Sequence, residues 1–246
     1  MKKKIIGIKL GSATLVENGI INKKFIRHVC SQVAKLIRSG FAVFIVTSGA
    51  VASGYKEGRS KNLNSAIGQS KLTHIYSKYF ADFGIEVSQH LFTDREFMKK
   101  DNVVTRNILL EALVDGVVPI INANDSVDSY ELQKVYKCAD NDRLLMLVSE
   151  LVGADMVIIG FTESGFKNND GRVIHCVRSS EISKYLGFAK GGSVLGHGKN
   201  GMKTKILMLS ELANKGTSSI LVPTKERDFI LRAVSGEKDF GTAFHT

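Results

Sequence analysis

The sequence predicts an α/β fold, a largely parallel central sheet with helices on both faces. Three observations predict it. Short apolar runs of strand length alternate along the 246 residues with longer segments whose apolar residues recur at helical spacing. Most of those runs are continuous rather than alternating, as expected of strands covered on both sides. Polar clusters follow the ends of the strands, where folds of this class build their sites.

The elements follow in order. Residues 5–10 form a short apolar strand that stops in Lys9-Leu10-Gly11-Ser12. Residues 25–39 carry Phe25, Val29, Val33, Leu36 and Ile37 on one helical face, and Gly40 supplies the stop. Residues 42–47 read as a buried strand ending in Ser48-Gly49-Ala50. A helix is expected over 64–83 and a strand over 87–92. Residues 105–115 form the next helix, with Gly116 past its end, and 117–122 the next strand. The helix over 140–152 has Asp140 in place to cap it. A strand over 156–161, a helix after Met202 and a strand over 219–222 complete the pattern. No internal repeat or low-complexity segment interrupts it.

Composition narrows the function classes. With 43% hydrophobic residues, the chain can bury a sizeable core, and two prolines and no linker-like stretch favour one domain over 1–246. No apolar run has membrane-spanning length, and the basic start leads into a strand too short for a signal sequence, so a cytoplasmic location without membrane contact is expected. Cys30, Cys138 and Cys176 are odd in number and widely spaced, which suits reduced structural thiols. The net charge of +10 is spread along the chain, and tryptophan is absent. That pattern argues against a nucleic-acid partner and for anionic small substrates.

Two basic elements point to phosphate. Gly196-His197-Gly198-Lys199-Asn200-Gly201-Met202-Lys203-Thr204-Lys205 is a glycine-punctuated loop running into a helix, whose first N–H groups and dipole favour an anion. It reads equally as a surface turn rich in Gly and Lys. Lys9 closes an apolar strand, a place that puts its ammonium at the mouth of a parallel sheet. No Walker loop is present, and no dinucleotide Gly-x-Gly-x-x-Gly follows this first strand, so phosphate chemistry here uses another framework. Asn122-Ala123-Asn124-Asp125 and Asp140-Asn141-Asp142 add amides and carboxylates, although either cluster also suits a turn or a cap.

Taken together, these residues resemble the amino-acid kinase family, and within it the glutamate 5-kinase branch. The resemblance is carried by Lys9-Leu10-Gly11-Ser12, Val46-Thr47-Ser48-Gly49-Ala50-Val51-Ala52-Ser53-Gly54, Ala66-Ile67-Gly68-Gln69-Ser70, Pro119-Ile120-Ile121-Asn122-Ala123-Asn124-Asp125, Asp140-Asn141-Asp142 and Gly201-Met202-Lys203-Thr204-Lys205. It implies ATP-dependent phosphorylation of the γ-carboxylate of L-glutamate, the first step of proline synthesis, with Mg2+ bridging the nucleotide phosphates. By position, Lys9 and Lys205 would stabilise the transferring phosphoryl group and Asp142 would orient them. Ser48, Asp125 and Asn141 match glutamate-binding positions. Nucleotide contacts would fall to Lys9, Gly11, Thr162, Glu163 and the run Lys199, Asn200, Gly201, Met202, Lys203, Thr204 and Lys205. No residue is assigned to the metal. Ser48 also reads as a helix cap, Thr162-Glu163 as a turn and Lys203 as a solvated lysine.

The resemblance further implies a homo-oligomer, a dimer or tetramer, and a reductase, glutamate-5-semialdehyde dehydrogenase, as functional partner for the unstable product. The chain resembles the short forms without a C-terminal PUA domain. It departs from the family where Glu is usual at Ala123, Gly at Ala139 and Asp at Glu163, and where Lys199-Asn200 replaces a Thr-Gly pair. Those departures bear on the acceptor. Another small carboxylate, carbamate or phosphate is the alternative, and a non-catalytic sensor of glutamate or nucleotide a third reading.

Overall fold

The computed structural model describes residues 3–98, 102–127, 140–189 and 201–246. The chain divides into two compact units, Met1–Ala154 and Asp155–Thr246.

The first unit opens with β1 (Ile5–Lys9), one turn of helix α1 (Ser12–Leu15), and a hairpin of β2 (Val16–Glu17) and β3 (Ile20–Ile21). Asn18 and Gly19 turn that hairpin at φ of 49° and 76°, the left-handed pair that a two-residue turn of this hand requires. Helix α2 (Lys23–Arg38) starts where the Asn22 side chain accepts from the Phe25 N–H at 3.0 Å. Its Ile26, Val29, Cys30, Val33 and Leu36 are buried, and Gly40 at φ 89° ends it.

Then follow β4 (Ala42–Val46), α3 (Ala50–Gly54), α4 (Lys61–Ala81), β5 (Val87–Phe92), α5 (Asn102–Asp115), β6 (Val118–Ala123) and α6 (Asn141–Val152). The strands lie in the order β5-β6-β4-β1, and every pairing among them is parallel. All four strand ends therefore open on the same side. The core runs through β1 and β4, whose residues are all buried. Gly7 lies opposite Phe44, and a Cβ there would fall 2.4 Å from the Phe44 ring, so the missing side chain makes room for the ring. Side chains such as Phe44 and Ile45, both wholly buried, contribute roughly 1.5–3 kcal/mol each. Helices α3 and α4 meet backbone to backbone. A Cβ at Gly54 would lie 1.9 Å from the Asn64 carbonyl oxygen, and one at Gly68 would lie 1.8 Å from the Ala50 carbonyl oxygen.

The second unit contains β7 (Met156–Phe161), β8 (Cys176–Arg178), α7 (Ile182–Leu186), α8 (Met202–Asn214), β9 (Ser218–Pro223), α9 (Phe229–Val234) and β10 (Thr242–His245). β7 pairs with β9 in parallel, β9 with β10 antiparallel, and β10 with β8 in parallel.

The expected elements are present, several with bounds shifted by a few residues. Helix α4 begins at Lys61 rather than 64 because the Ser60 hydroxyl accepts from the Leu63 N–H at 3.1 Å, a cap set in a polar first turn without apolar periodicity. Helix α5 likewise begins earlier, at Asn102. The pattern did not anticipate α1, the hairpin, α3, α7, α9, β8 or β10. No helix among the described residues is long and apolar enough to cross a membrane.

Candidate active site

Parallel strands set the site at their C-terminal ends. Lys9 is the last residue of β1, and Asp142 lies in the first turn of α6. Their side chains are buried, 11% and 4% exposed, and Lys9 Nζ lies 2.6 Å from Asp142 Oδ1. A lysine at the end of an apolar strand is retained because its charge is answered, and the carboxylate is favoured by the N-terminal end of its own helix. The first turn is shaped by Asp140, which accepts from the Asp142 N–H at 2.9 Å. A Cβ at Gly11 would sit 3.9 Å from Lys9 Nζ, in ordinary van der Waals contact with that ammonium.

Beyond β4 the chain turns through Ser48 and Gly49, the latter at φ 90°. Gly49 takes the N-cap position of α3 without a side-chain cap, so Ser48 is not a helix cap. Its Oγ accepts instead from Asn141 Nδ2 at 2.8 Å, which leaves the Ser48 proton to donate elsewhere. Asn141 Oδ1 is buried and makes no hydrogen bond among the described residues, a polar atom that a bound donor would satisfy. Thr47 is held behind this turn by its N–H on the Ile121 carbonyl at 2.9 Å and by its hydroxyl against Tyr76 at 3.3 Å. Burial pushes the Tyr76 phenol well above its ordinary value, so it stays neutral there.

Asn122, in β6, donates from Nδ2 to Gln69 Oε1 at 2.8 Å, while its Oδ1 accepts from the Ala123 N–H at 2.9 Å. Asp125 follows, half-buried, with Lys61 Nζ at 3.8 Å. Lys9, Ser48, Asn141, Asp142 and Asp125 therefore all belong to the first unit, at the end of β1 and on the turns and helix start that follow β4 and β6.

The second unit holds the rest. Thr162 and Glu163 are exposed just past β7, and Glu163 pairs with Lys167 at 2.6 Å. That hydrogen bond and charge hold the Glu163 carboxyl below its ordinary value. Gly201 is the N-cap of α8 and no side chain caps the helix, whose first turn carries no acid. Met202, Lys203, Thr204 and Lys205 make up that turn, Lys203 and Thr204 exposed and Lys205 half-buried. Two lysines at a helix N-terminus oppose the dipole, a cost offset when an anion lies over the open N–H groups. Lys199 and Asn200 lie outside the described residues, as does Ala139.

Gln69 and Lys61 were not assigned a role by sequence. For Gln69 the signal was present: Ser65, Gly68, Gln69, Leu72 and Tyr76 share the buried face of α4, so an amide interrupts an apolar stripe. Among the described residues no three His, Cys, Asp or Glu side chains gather as a metal site.

The model of the amino acid kinase family matches residues 4–222. A glutamate 5-kinase of Geobacter sulfurreducens is 36% identical, covering 99% of this chain and 68% of that protein. A glutamate 5-kinase of Clostridium perfringens is 32% identical, covering 98% of this chain and 95% of that one. The fold is also that of a carbamate kinase from Giardia lamblia solved with AMP-PNP, at a TM-score of 0.70 and 16% identity over 99% of both chains. By sequence, by fold and by the residues gathered at its strand ends, the chain belongs to the amino acid kinase family, among the glutamate 5-kinases.

Proposed function

We propose that this protein transfers the γ-phosphoryl group of ATP to the γ-carboxylate of L-glutamate, giving L-glutamyl 5-phosphate and ADP. The observation that carries the reading is the buried Lys9–Asp142 pair at the mouth of β1, in the unit whose next strand end presents Ser48 hydrogen-bonded to Asn141. A carboxylate oxygen attacks phosphorus and the β–γ bridging bond breaks, so no proton has to move. The protein's work is alignment and charge neutralisation.

In this reading the Ser48 hydroxyl donates to the acceptor carboxylate, and Asp125 takes the α-ammonium. Asp142 holds Lys9 so that its remaining N–H bonds face the phosphoryl oxygens, while Lys205 supplies a second charge to the same group. The α8 N-terminus with Gly201, Met202, Lys203 and Thr204 receives the nucleotide phosphates, with Thr162 and Glu163 as further nucleotide contacts and Lys199 and Asn200 in the preceding loop. The donor set fits a nucleotide that brings its own Mg2+: lysines rather than clustered carboxylates face the phosphates, which themselves serve as ligands. When bound, that ion neutralises charge on the β- and γ-phosphates.

A second reading keeps the chemistry and changes the acceptor. It rests on Ala123, a small buried residue at the end of β6 where the family resemblance leads one to expect Glu. A homo-oligomer, a cytoplasmic location and a reductase that consumes the labile acyl phosphate complete the proposal.

The test is ADP release with MgATP in the presence of hydroxylamine, comparing L-glutamate with no acceptor, aspartate, acetylglutamate, carbamate and UMP. Glutamate-dependent hydroxamate is the expected result. ADP release with another acceptor alone would move the specificity, and none with any acceptor would leave the sensor reading.

A further inference from the structure

The motif Ala66-Ile67-Gly68-Gln69-Ser70 lies inside α4, yet the reaction as described makes no use of it. Its glutamine is 4% exposed. The polarity of this side chain is dictated step by step. The Ala123 N–H occupies Asn122 Oδ1, so Asn122 must turn Nδ2 outward. That Nδ2 donates to Gln69 Oε1, so Gln69 Nε2 is the end left over. Reversing either amide would set two donors face to face. Gln69 Nε2 is buried and has no hydrogen-bond partner among the described residues. A buried donor left unpaired is costly, and chains that keep one generally use it.

The place of this donor is also fixed. Val46 pairs with Ile121, and the Thr47 N–H bonds the Ile121 carbonyl. Asn122 is thus at the strand end beside the turn that carries Ser48. On the other side, Gly68 packs against the Ala50 carbonyl with no room for a side chain. Gln69 is therefore tied to the end of β6, and the residue before it packs against the start of α3, just past the Ser48 turn.

We propose that Gln69 is a substrate-binding residue of this site, whose Nε2 donates a hydrogen bond to a carboxylate oxygen of the amino-acid acceptor. The proposal rests on the acceptor being bound at this strand end, as in the function proposed above. It assigns Gln69 to acceptor affinity and to neither nucleotide binding nor the chemical step.

Gln69→Glu tests it, because the variant keeps the volume and the oxygen that Asn122 needs while replacing the donor by an anion. The KM for L-glutamate rises at least about tenfold, with kcat and the KM for ATP little changed. The defect shrinks as pH falls, because burial raises the new carboxyl's pKa and its protonated form donates again. A Gln69→Met variant loses the donor without adding charge and shows a smaller rise in the same constant. Equal KM values in wild type and both variants, or a fall in melting temperature with unchanged KM, would overturn the assignment. The wild-type acceptor panel is run first. If a different carboxylate acceptor is turned over, the variants are read on its KM, so the choice of glutamate and the role of Gln69 fail separately.

Should both variants misfold, the wild type decides. The chain has four glutamines, so their 15N-labelled side-chain amides resolve readily. A shift of the Gln69 amide on adding L-glutamate is expected, and an unmoved resonance at saturation would overturn the proposal.

Discussion

The residues proposed to face the acceptor and those proposed to face the nucleotide are prepared in different ways. In Met1–Ala154 the candidate side chains are already joined to one another and largely buried: Lys9 to Asp142, Asn141 to Ser48, Asn122 to Gln69. In Asp155–Thr246, Thr162, Glu163, Lys203 and Thr204 are exposed, and Glu163 makes a surface ion pair with Lys167. A small acceptor has few atoms to grip, so its partners must be set in advance. A polyphosphate brings charge enough to organise exposed lysines and helix N–H groups as it binds.

Asp142→Ala breaks that comparison most directly. It leaves the buried Lys9 ammonium without its carboxylate, so a loss of about 3–5 kcal/mol in chemical denaturation is expected together with loss of turnover. Lys205→Ala, in contrast, lowers kcat by roughly 10²–10³ with an unchanged melting temperature. Wild-type rates in that variant would remove Lys205 from the chemistry. Gly68→Ala reverses a general rule. Alanine in place of a helical glycine normally stabilises by about 1 kcal/mol, but here its Cβ would strike the Ala50 carbonyl. A loss of about 1–3 kcal/mol is expected from the same denaturation curves.

Two titrations sharpen the contrast between buried and exposed charge. Burial lowers the pKa of His90, so the unfolded chain takes up a proton before the folded one, and stability falls as pH drops below about 6.5. His90→Gln should flatten that slope between pH 7 and 5. Glu163 is the opposite case and the smallest effect. Its lowered pKa stabilises the fold above the unfolded value near 4.3, and the contribution disappears as pH falls through the folded one. Because the pair is about half exposed, Glu163→Gln should change stability at neutral pH by less than about 0.5 kcal/mol.

How far the sequence could be read follows the same division. Strands such as Val87–Phe92 and Met156–Phe161 were legible to the residue because each is a short β-prone run bounded by turn signals. The Asp140 cap was legible because an Asp before an apolar periodic stretch has few other uses. Short elements escaped. Helix α3 is five residues of small side chains, and what fixes it is the close approach of Gly54 and Gly68, which no periodicity reports. The β2–β3 hairpin carried its signal in Asn18-Gly19, but strands of two residues offer no alternation to read. At the candidate site, motif order pointed to Lys9, Ser48, Asn141 and Asp142, which the fold places at the strand ends of one unit. Which of them touch, and that Gln69 completes the chain of amides from Ala123, depended on the register of β4 against β6.

The most direct test of a preassembled acceptor site is titration of L-glutamate into nucleotide-free protein, followed by calorimetry or side-chain amide resonances. Saturable binding of L-glutamate without nucleotide is the predicted result. Binding that appears only once MgATP or a non-hydrolysable analogue is present would contradict it, and would place the organisation of both substrates in the nucleotide.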